Sequence, residues 1–208
     1  MLAVAKQQTQ PGGCIKGAAF REFVVWYEQK VGPEAFGSRV SKMPEWMKKD
    51  LDVALPALGI RDSIWYPDVT VHRLLDLLTD NMTSGQRHAL ALQGANHVMD
   101  VTLRGIFRIM FGWMATPERY AAYGQRLWSS YYDCGDFQIA FTEDGGGAVA
   151  TIRNWATHHP FICDINRGAS IAIYKAMKCN DVSCIRHACV AEGGSECRFV
   201  TRWSAVRP

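Results

Sequence analysis

What the sequence lacks narrows its function before any residue is singled out. No stretch approaches the roughly 18 uninterrupted apolar residues of a membrane helix, so no membrane span is expected. The opening MLAVAKQQTQPGG has too short an apolar run for a secretory signal, which points to the cytoplasm. No run of Lys or Arg exceeds two residues, and 23 basic against 20 acidic residues leave a formal net charge of +3. That is too weak and too scattered for direct nucleic-acid binding and reads as solvated surface charge. Also absent are G-x-G-x-x-G and P-loop spacings, a G-x-S-x-G elbow and an H-E-x-x-H helix. Nor is there a hydride-carrier site or a paired acid and base, so no catalytic residue is assigned and the chain is not read as an enzyme. No internal repeat or low-complexity segment is visible.

The 208 residues are 48% hydrophobic and 21% charged, a balance that supports a real core. Domains run to roughly 100–200 residues, so one domain is expected. Residues 1–13, ending in Pro-Gly-Gly, read as a flexible tail before a single unit over 14–208. Its first part, 14–134, is helical by spacing: Phe20, Phe23, Tyr27 and Val31 fit a helix over 17–31, and Pro33 opens a second to about Val40. Asp68 reads as the N-cap of a helix over 69–80, another spans 84–103, and 106–114 is densely apolar. Thr116 and Pro117 start a helix that runs to about Tyr132. From 135 to 205 the pattern changes: Phe137, Ile139 and Phe141 alternate with polar residues, a Glu-Asp-Gly-Gly-Gly turn follows, and 148–155 returns as a strand. A helix over 161–177 leads into VSCIRHACV, a Gly turn and CRFVTRW. The fold class is therefore α+β, a helical N-terminal two-thirds packed on a small antiparallel sheet of two β-hairpins joined by a helix.

Seven Cys in a chain of this length point to metal binding, burial or reactivity more than to disulfides. Cys189 and Cys197 stand eight apart across a Gly-containing turn, Cys163 lies near the start of the preceding helix, and Cys184 is on the incoming strand. Four thiolates in tetrahedral array suit zinc at about 2.3 Å per bond; small buried cysteines are the competing reading. His158-His159 before Pro160 could bind metal or shuttle protons, or simply form a pre-helix loop. His72 and His97, on helices, are open to haem- or ligand-contact roles or to ordinary surface and core roles. The aromatic series Phe107, Phe111, Trp113, Tyr123, Trp128 and Tyr131 either fills the core or lines a pocket for an apolar ligand.

The stretch HPFICDINRGAS…VSCIRHACVAEGGSECRFVTRW resembles the 4-vinyl reductase domain of phenol- and xylene-responsive transcription activators and bacteriochlorophyll-synthesis proteins. With IKGAAFREFV, WYPDVTVHRLLDLL, GIFRIMF and RLWSSYYDCGDFQIAF, the likeness narrows to a Myxococcales-restricted family ending in that domain, over roughly residues 14–203. The resemblance implies the fold shared by haem NO-binding domains and Bet3-like transport-complex proteins, an internal apolar pocket and frequent homodimers. It also implies a structural zinc held by three Cys and a Glu. Cys163, Cys189 and Cys197 match the three Cys; the Glu position is Arg186, a cation that cannot ligate, so Cys184 is the first substitute and His187 the second.

Three functions follow as expectations. The first is a sensory module binding a small apolar, aromatic or lipid-like ligand, with zinc as a structural tie and output through a homodimer or a protein partner. The second is a non-catalytic scaffold. The third is a reductase of a vinyl tetrapyrrole, suggested by the domain's name. Haem is not expected, since no His stands in a motif matching a proximal ligand.

Overall fold

The computed structural model describes residues 12–104 and 116–204. The apolar segment 106–114, the tail residues 1–11 and the last four residues lie outside the described residues.

A two-stranded ribbon opens the molecule. Strand β1 (Cys14–Lys16) pairs antiparallel with β2 (Trp65–Pro67), and a short 3-10 turn, Gly17–Ala19, leads into α1 (Arg21–Val31). Its residues Phe23, Val24 and Tyr27 are buried, and Gly32 at φ 85° ends the helix. Pro33 then starts α2 (Pro33–Val40). After two more 3-10 turns come α3 (Asp68–Leu78) and α4 (Ser84–Arg104). The expected helix over 17–31 thus begins later, at Arg21, because the chain first pairs as β1 and turns. Strands of three residues, separated by nearly fifty in sequence, carry no readable two-residue period, so the ribbon was not anticipated.

Asp68 is the first residue of α3 and not its cap; the N-cap is Pro67. The carboxylate instead accepts from the Gly12 N–H at 3.1 Å, and the Asp68 N–H donates to the Gly13 carbonyl at 3.0 Å. The last two residues of the expected tail are therefore fixed by hydrogen bonds.

Helix α5 (Pro117–Trp128) begins as the sequence suggests: the Thr116 hydroxyl accepts from the Arg119 N–H. It stops short of Tyr132, because the Trp128 carbonyl takes both the Tyr131 and Tyr132 N–H groups and turns the chain back toward β1, where Tyr132 bridges Ile15.

The second half forms one sheet. Strands β3 (Asp136–Phe141), β4 (Gly147–Arg153), β5 (Ser183–Ala188) and β6 (Cys197–Arg202) lie in the order β3-β4-β6-β5, all antiparallel. The two expected hairpins thus merge through β4 and β6, and α6 (Pro160–Ala176) links them. Ala148, Ala150 and Ile152 of β4 face the same way as Thr201, Phe199 and Cys197 of β6, and all six are buried. Alternate residues such as Arg153, Arg198 and Arg202 face solvent, the pattern of a sheet covered on one side. Helix α5 packs on β3, α6 on β5 and β6, and α4 lies along α6. That last approach needs a glycine: a Cβ on Gly168 would stand 2.6 Å from the Ala95 Cβ. No helix among the described residues is long and apolar enough to cross a membrane.

Candidate functional site

Two features meet on α6. At its first turn three cysteines converge, and along its middle it walls a cavity.

Cys163 is on the first turn of α6, Cys189 follows β5, and Cys197 opens β6; all three are buried. The Cys189 Sγ lies 3.8 Å from that of Cys163 and 4.0 Å from that of Cys197. The fourth member is His158, whose Nε2 stands 3.4 Å from the Cys189 Sγ. All four ligand atoms fall within 4.8 Å of one another. With metal–sulfur bonds of about 2.3 Å and metal–nitrogen bonds of about 2.0–2.1 Å, a tetrahedral ion needs sulfur atoms about 3.8 Å apart and nitrogen about 3.6 Å from sulfur. The three edges at Cys189 lie within a few tenths of an ångström of those values, so these residues fit a tetrahedral zinc-type ion.

Cys184, expected as the fourth ligand, is not in the cluster. It pairs with Thr201, four residues along β6 from Cys197 and so roughly 13 Å away at the rise of a strand. His187, the second choice, is exposed on the same strand. Arg186 sits beside the corner without blocking it: its guanidinium reaches Asp164 at 3.1 Å and Glu192 at 2.5 Å. Three thiolates and a neutral imidazole around a divalent ion leave one net negative charge, which a neighbouring guanidinium offsets. The cation seen in sequence as an obstacle would be a counter-charge to a bound ion. Glu196, next to Cys197, faces away, its carboxylate held by Arg153 at 2.7 Å and by Arg198.

His158 is aimed by its loop. Thr157 is fully buried, and its N–H meets the Cys134 sulfur, its hydroxyl the Trp155 Nε1–H at 2.9 Å, and its carbonyl the His72 Nε2 at 3.0 Å. The Trp155 ring lies edge-on to His158. His159 caps α6 by accepting the Phe161 N–H on Nδ1, which leaves Nε2 to donate to Asp76 at 3.3 Å. Burial, together with His72, holds its pKa down to about 4, so the cap is a neutral imidazole. The paired histidines therefore divide: His158 joins the thiols and His159 caps the helix. Sequence reading left both roles open; the missed signal was the five-residue gap from His158 to Cys163, which one helical turn closes.

Among the thiols, donation from Cys163 and then from His158 holds Cys197 down to about 4. Cys163, donating to Cys197 and buried, is pushed well up, and burial raises Cys189. An ion bound at the corner would displace the protons that its thiols carry.

The cavity, about 170 Å³, lies between α4, α5, α6 and the covered face of the sheet. Trp128, Leu127, Phe137, Ile165, Ile173 and Phe199 give it an apolar lining, and no charged side chain or histidine lines it among the described residues. Gly124 lets α5 close on β3, since a Cβ there would stand 3.0 Å from the Phe137 ring. Of the six aromatics expected in a pocket, Trp128 and Tyr131 line it. Tyr123 does not; it is 51% exposed, on the outer side of α5 from Tyr120, Gly124 and Trp128. Phe107, Phe111 and Trp113 lie outside the described residues.

No family model matches the sequence, and no curated protein matches it. Solved structures do. An H-NOX protein from K. algicida in the Fe(II) unliganded state superposes at TM-score 0.64 and 16% identity, over 92% of this chain and 97% of that one. An H-NOX protein from S. oneidensis in the Fe(II)NO state gives 0.63 at 9% identity, over 92% and 100%. The IWP-051-bound H-NOX from Shewanella woodyi gives 0.56 at 13% identity, over 92% and 96%. At these identities the likeness establishes the α+β fold. A trafficking protein particle complex subunit 3 from Naegleria fowleri reaches 0.43 over 60% of this chain and 82% of that one, too partial to bear on it.

The fold neighbours raise the question of a haem. All six histidines lie at described positions: His72, His158 and His159 around Thr157, His88 against Asp164, His97 stacked on Trp26, and His187 exposed on β5. None lines the cavity, so its residues do not fit a haem held by an imidazole there.

Proposed function

We propose that this chain is a small-molecule-binding sensory module of the 4-vinyl reductase domain type, acting by binding and not by catalysis, with a structural zinc at its thiol corner. The observation that carries the reading is the apolar cavity against α6, whose described lining carries no charge. An apolar cavity of roughly 150 Å³ is large enough to hold benzene. About 170 Å³ accordingly suits a compact ligand of about one ring better than a long acyl chain. A charged ligand would lose its hydration with nothing in the described lining to replace it.

His158, Cys163, Cys189 and Cys197 would hold the zinc. Four protein ligands leave no open position for water, so the ion would tie the α6 N-terminus to the β5–β6 hairpin and activate nothing. Output from such a module would pass to a second copy of the chain or to a protein partner.

Native mass spectrometry of the purified protein, before and after denaturation, tests both halves. The expected result is one zinc per chain and an organic adduct of low mass. A bare chain that also takes up no apolar probe at millimolar concentration would overturn the ligand reading; reduced thiols with no metal after zinc incubation would overturn the other.

A further inference from the structure

In the described wall of the cavity one fully buried polar atom is left without a partner. The Trp128 Nε1–H is used, donating to the Cys134 carbonyl at 2.8 Å, and the Ser170 hydroxyl donates to the Asn166 backbone carbonyl at 3.0 Å. Asn166 lines the same wall, and its Nδ2 is the sole buried side-chain nitrogen or oxygen without a hydrogen-bond partner among the described residues. A buried donor with nothing to donate to is costly, and it persists where something else selects it.

Its surroundings say how it would be used. Asn166 sits beside the Tyr132 phenol, another cavity-lining group, which burial keeps protonated and therefore a donor. A phenol oxygen both donates and accepts, so the amide can meet it through either of its ends. The amide is isosteric under a half-turn about χ2. That turn offers Oδ1 to the Tyr132 hydroxyl and leaves Nδ2 for the cavity.

We propose that Asn166 is the specificity-determining anchor of the cavity, and that it selects an uncharged, compact apolar ligand carrying one hydrogen-bond-accepting atom, such as a carbonyl oxygen. The inference rests on the ligand-binding reading above and adds to it the residue and the chemistry that would be recognised. Tyr132 and Asn166 act as a pair: the phenol fixes the amide through Oδ1, and the amide reads the ligand through Nδ2. Neither charge nor shape alone would then decide what binds.

Acetophenone and isopropylbenzene have the same outline and differ in the acceptor. Their dissociation constants are measured by calorimetry on the wild type and on Asn166→Leu, so that their different hydrophobicity cancels in the comparison. The ratio between the two probes is expected to move by about tenfold against acetophenone in the variant, the worth of one buried hydrogen bond. In the wild type, the Asn166 side-chain NH2 resonances should shift with acetophenone and stay put with isopropylbenzene, which decides the matter even if the variant does not fold. Benzoate, the charged analogue, should not bind, and tight binding of it would remove the uncharged class. Both neutral probes binding with an unmoved ratio and unmoved amide resonances would overturn the anchor while leaving the cavity a binding site. Failure of both to bind would overturn the anchor and the ligand reading together.

Discussion

The first turn of α6 and its middle are finished differently. At the first turn every polar group named above has a partner: Cys163 has the other thiols, Asp164 takes Arg186 at 3.1 Å and the His88 Nδ1–H at 3.2 Å, and His88 in turn accepts from Arg167 at 2.9 Å. Two residues further on, Asn166 leaves a buried donor unpaired beside an apolar hollow. A region whose polar groups are all answered within the chain is a tie, there to hold elements together. A region with one unanswered donor in an apolar wall is incomplete until something enters. The same helix carries both, so the tie sets where the wall stands.

The strongest way to break that comparison is at the tie. Cys189→Ser removes the ligand in contact with both other thiols and with His158. It should release the metal and cost more than about 4 kcal/mol, or roughly 10 °C or more in Tm for a chain of this size. Metal analysis and calorimetry on the same sample check it. An unchanged Tm with unchanged metal content would mean the corner is merely a cluster of buried thiols. Acetophenone affinity should fall with the metal, because Cys163 and Asn166 are less than one turn apart on α6.

Next in size is an intrusion between the two helices. In Gly168→Val the new Cβ would stand where Ala95 is 2.6 Å away, so α4 and α6 must part. Overpacking of this kind costs about 1–3 kcal/mol. Zinc content should hold while acetophenone binding weakens, since Val98, Met99 and Leu103 of α4 form the opposite wall. Unaltered binding would show that the wall does not depend on that close approach.

At Asn166 the expected sign reverses. Asn166→Leu combined with Tyr132→Phe should raise the stability of the ligand-free protein by about 1 kcal/mol, because together they remove a buried donor that nothing answers and leave no phenol unpaired. A destabilised variant in urea titration would show that the amide is satisfied in solution, and the contrast between the two ends of α6 would dissolve.

Much of this was legible in sequence, and the limits have physical causes. The helices around Phe23, Leu74 and Tyr120 and the strands around Phe137 and Phe199 were readable because each buries one periodic face. Cys163, Cys189 and Cys197 were readable as a set; the fourth member was not, because His158 gets there through a loop pinned at Thr157 by residues 23 and 85 positions away. Cys184 shares a strand face with Arg186, but face says nothing about distance along the strand. Trp128 and Tyr131 were found by aromaticity and Asn166 was not. An Asn in a helix carries no signal until its neighbours are known, and the missing partner is visible only in three dimensions.

The smallest expected effect lies at the opposite end of β6 from Cys197 and separates general acid sensitivity from that of the corner. At the β3–β4 turn the Asp144 carboxylate accepts from the Thr142 hydroxyl at 2.6 Å, the Gly146 N–H at 3.1 Å and Arg202 at 2.6 Å. These bonds hold its pKa down to about 2, against about 3.9 when unfolded. A depressed carboxylate binds fewer protons folded than unfolded, so its contribution is complete above about 4 and disappears as the pH falls through about 2. A metal-loaded thiol corner would respond sooner, because protons would compete with the ion for its ligands. The Gly146 amide resonance should therefore titrate with a midpoint near 2 in the wild type and show no such step in Asp144→Asn. Any small stability gap between the two proteins should stay level from pH 7 to about 4.5, while metal is already being lost. A gap that closed together with metal release would mean the turn and the corner unfold as one unit, and the sheet could not then be treated as a rigid floor on which α6 alone is adjusted.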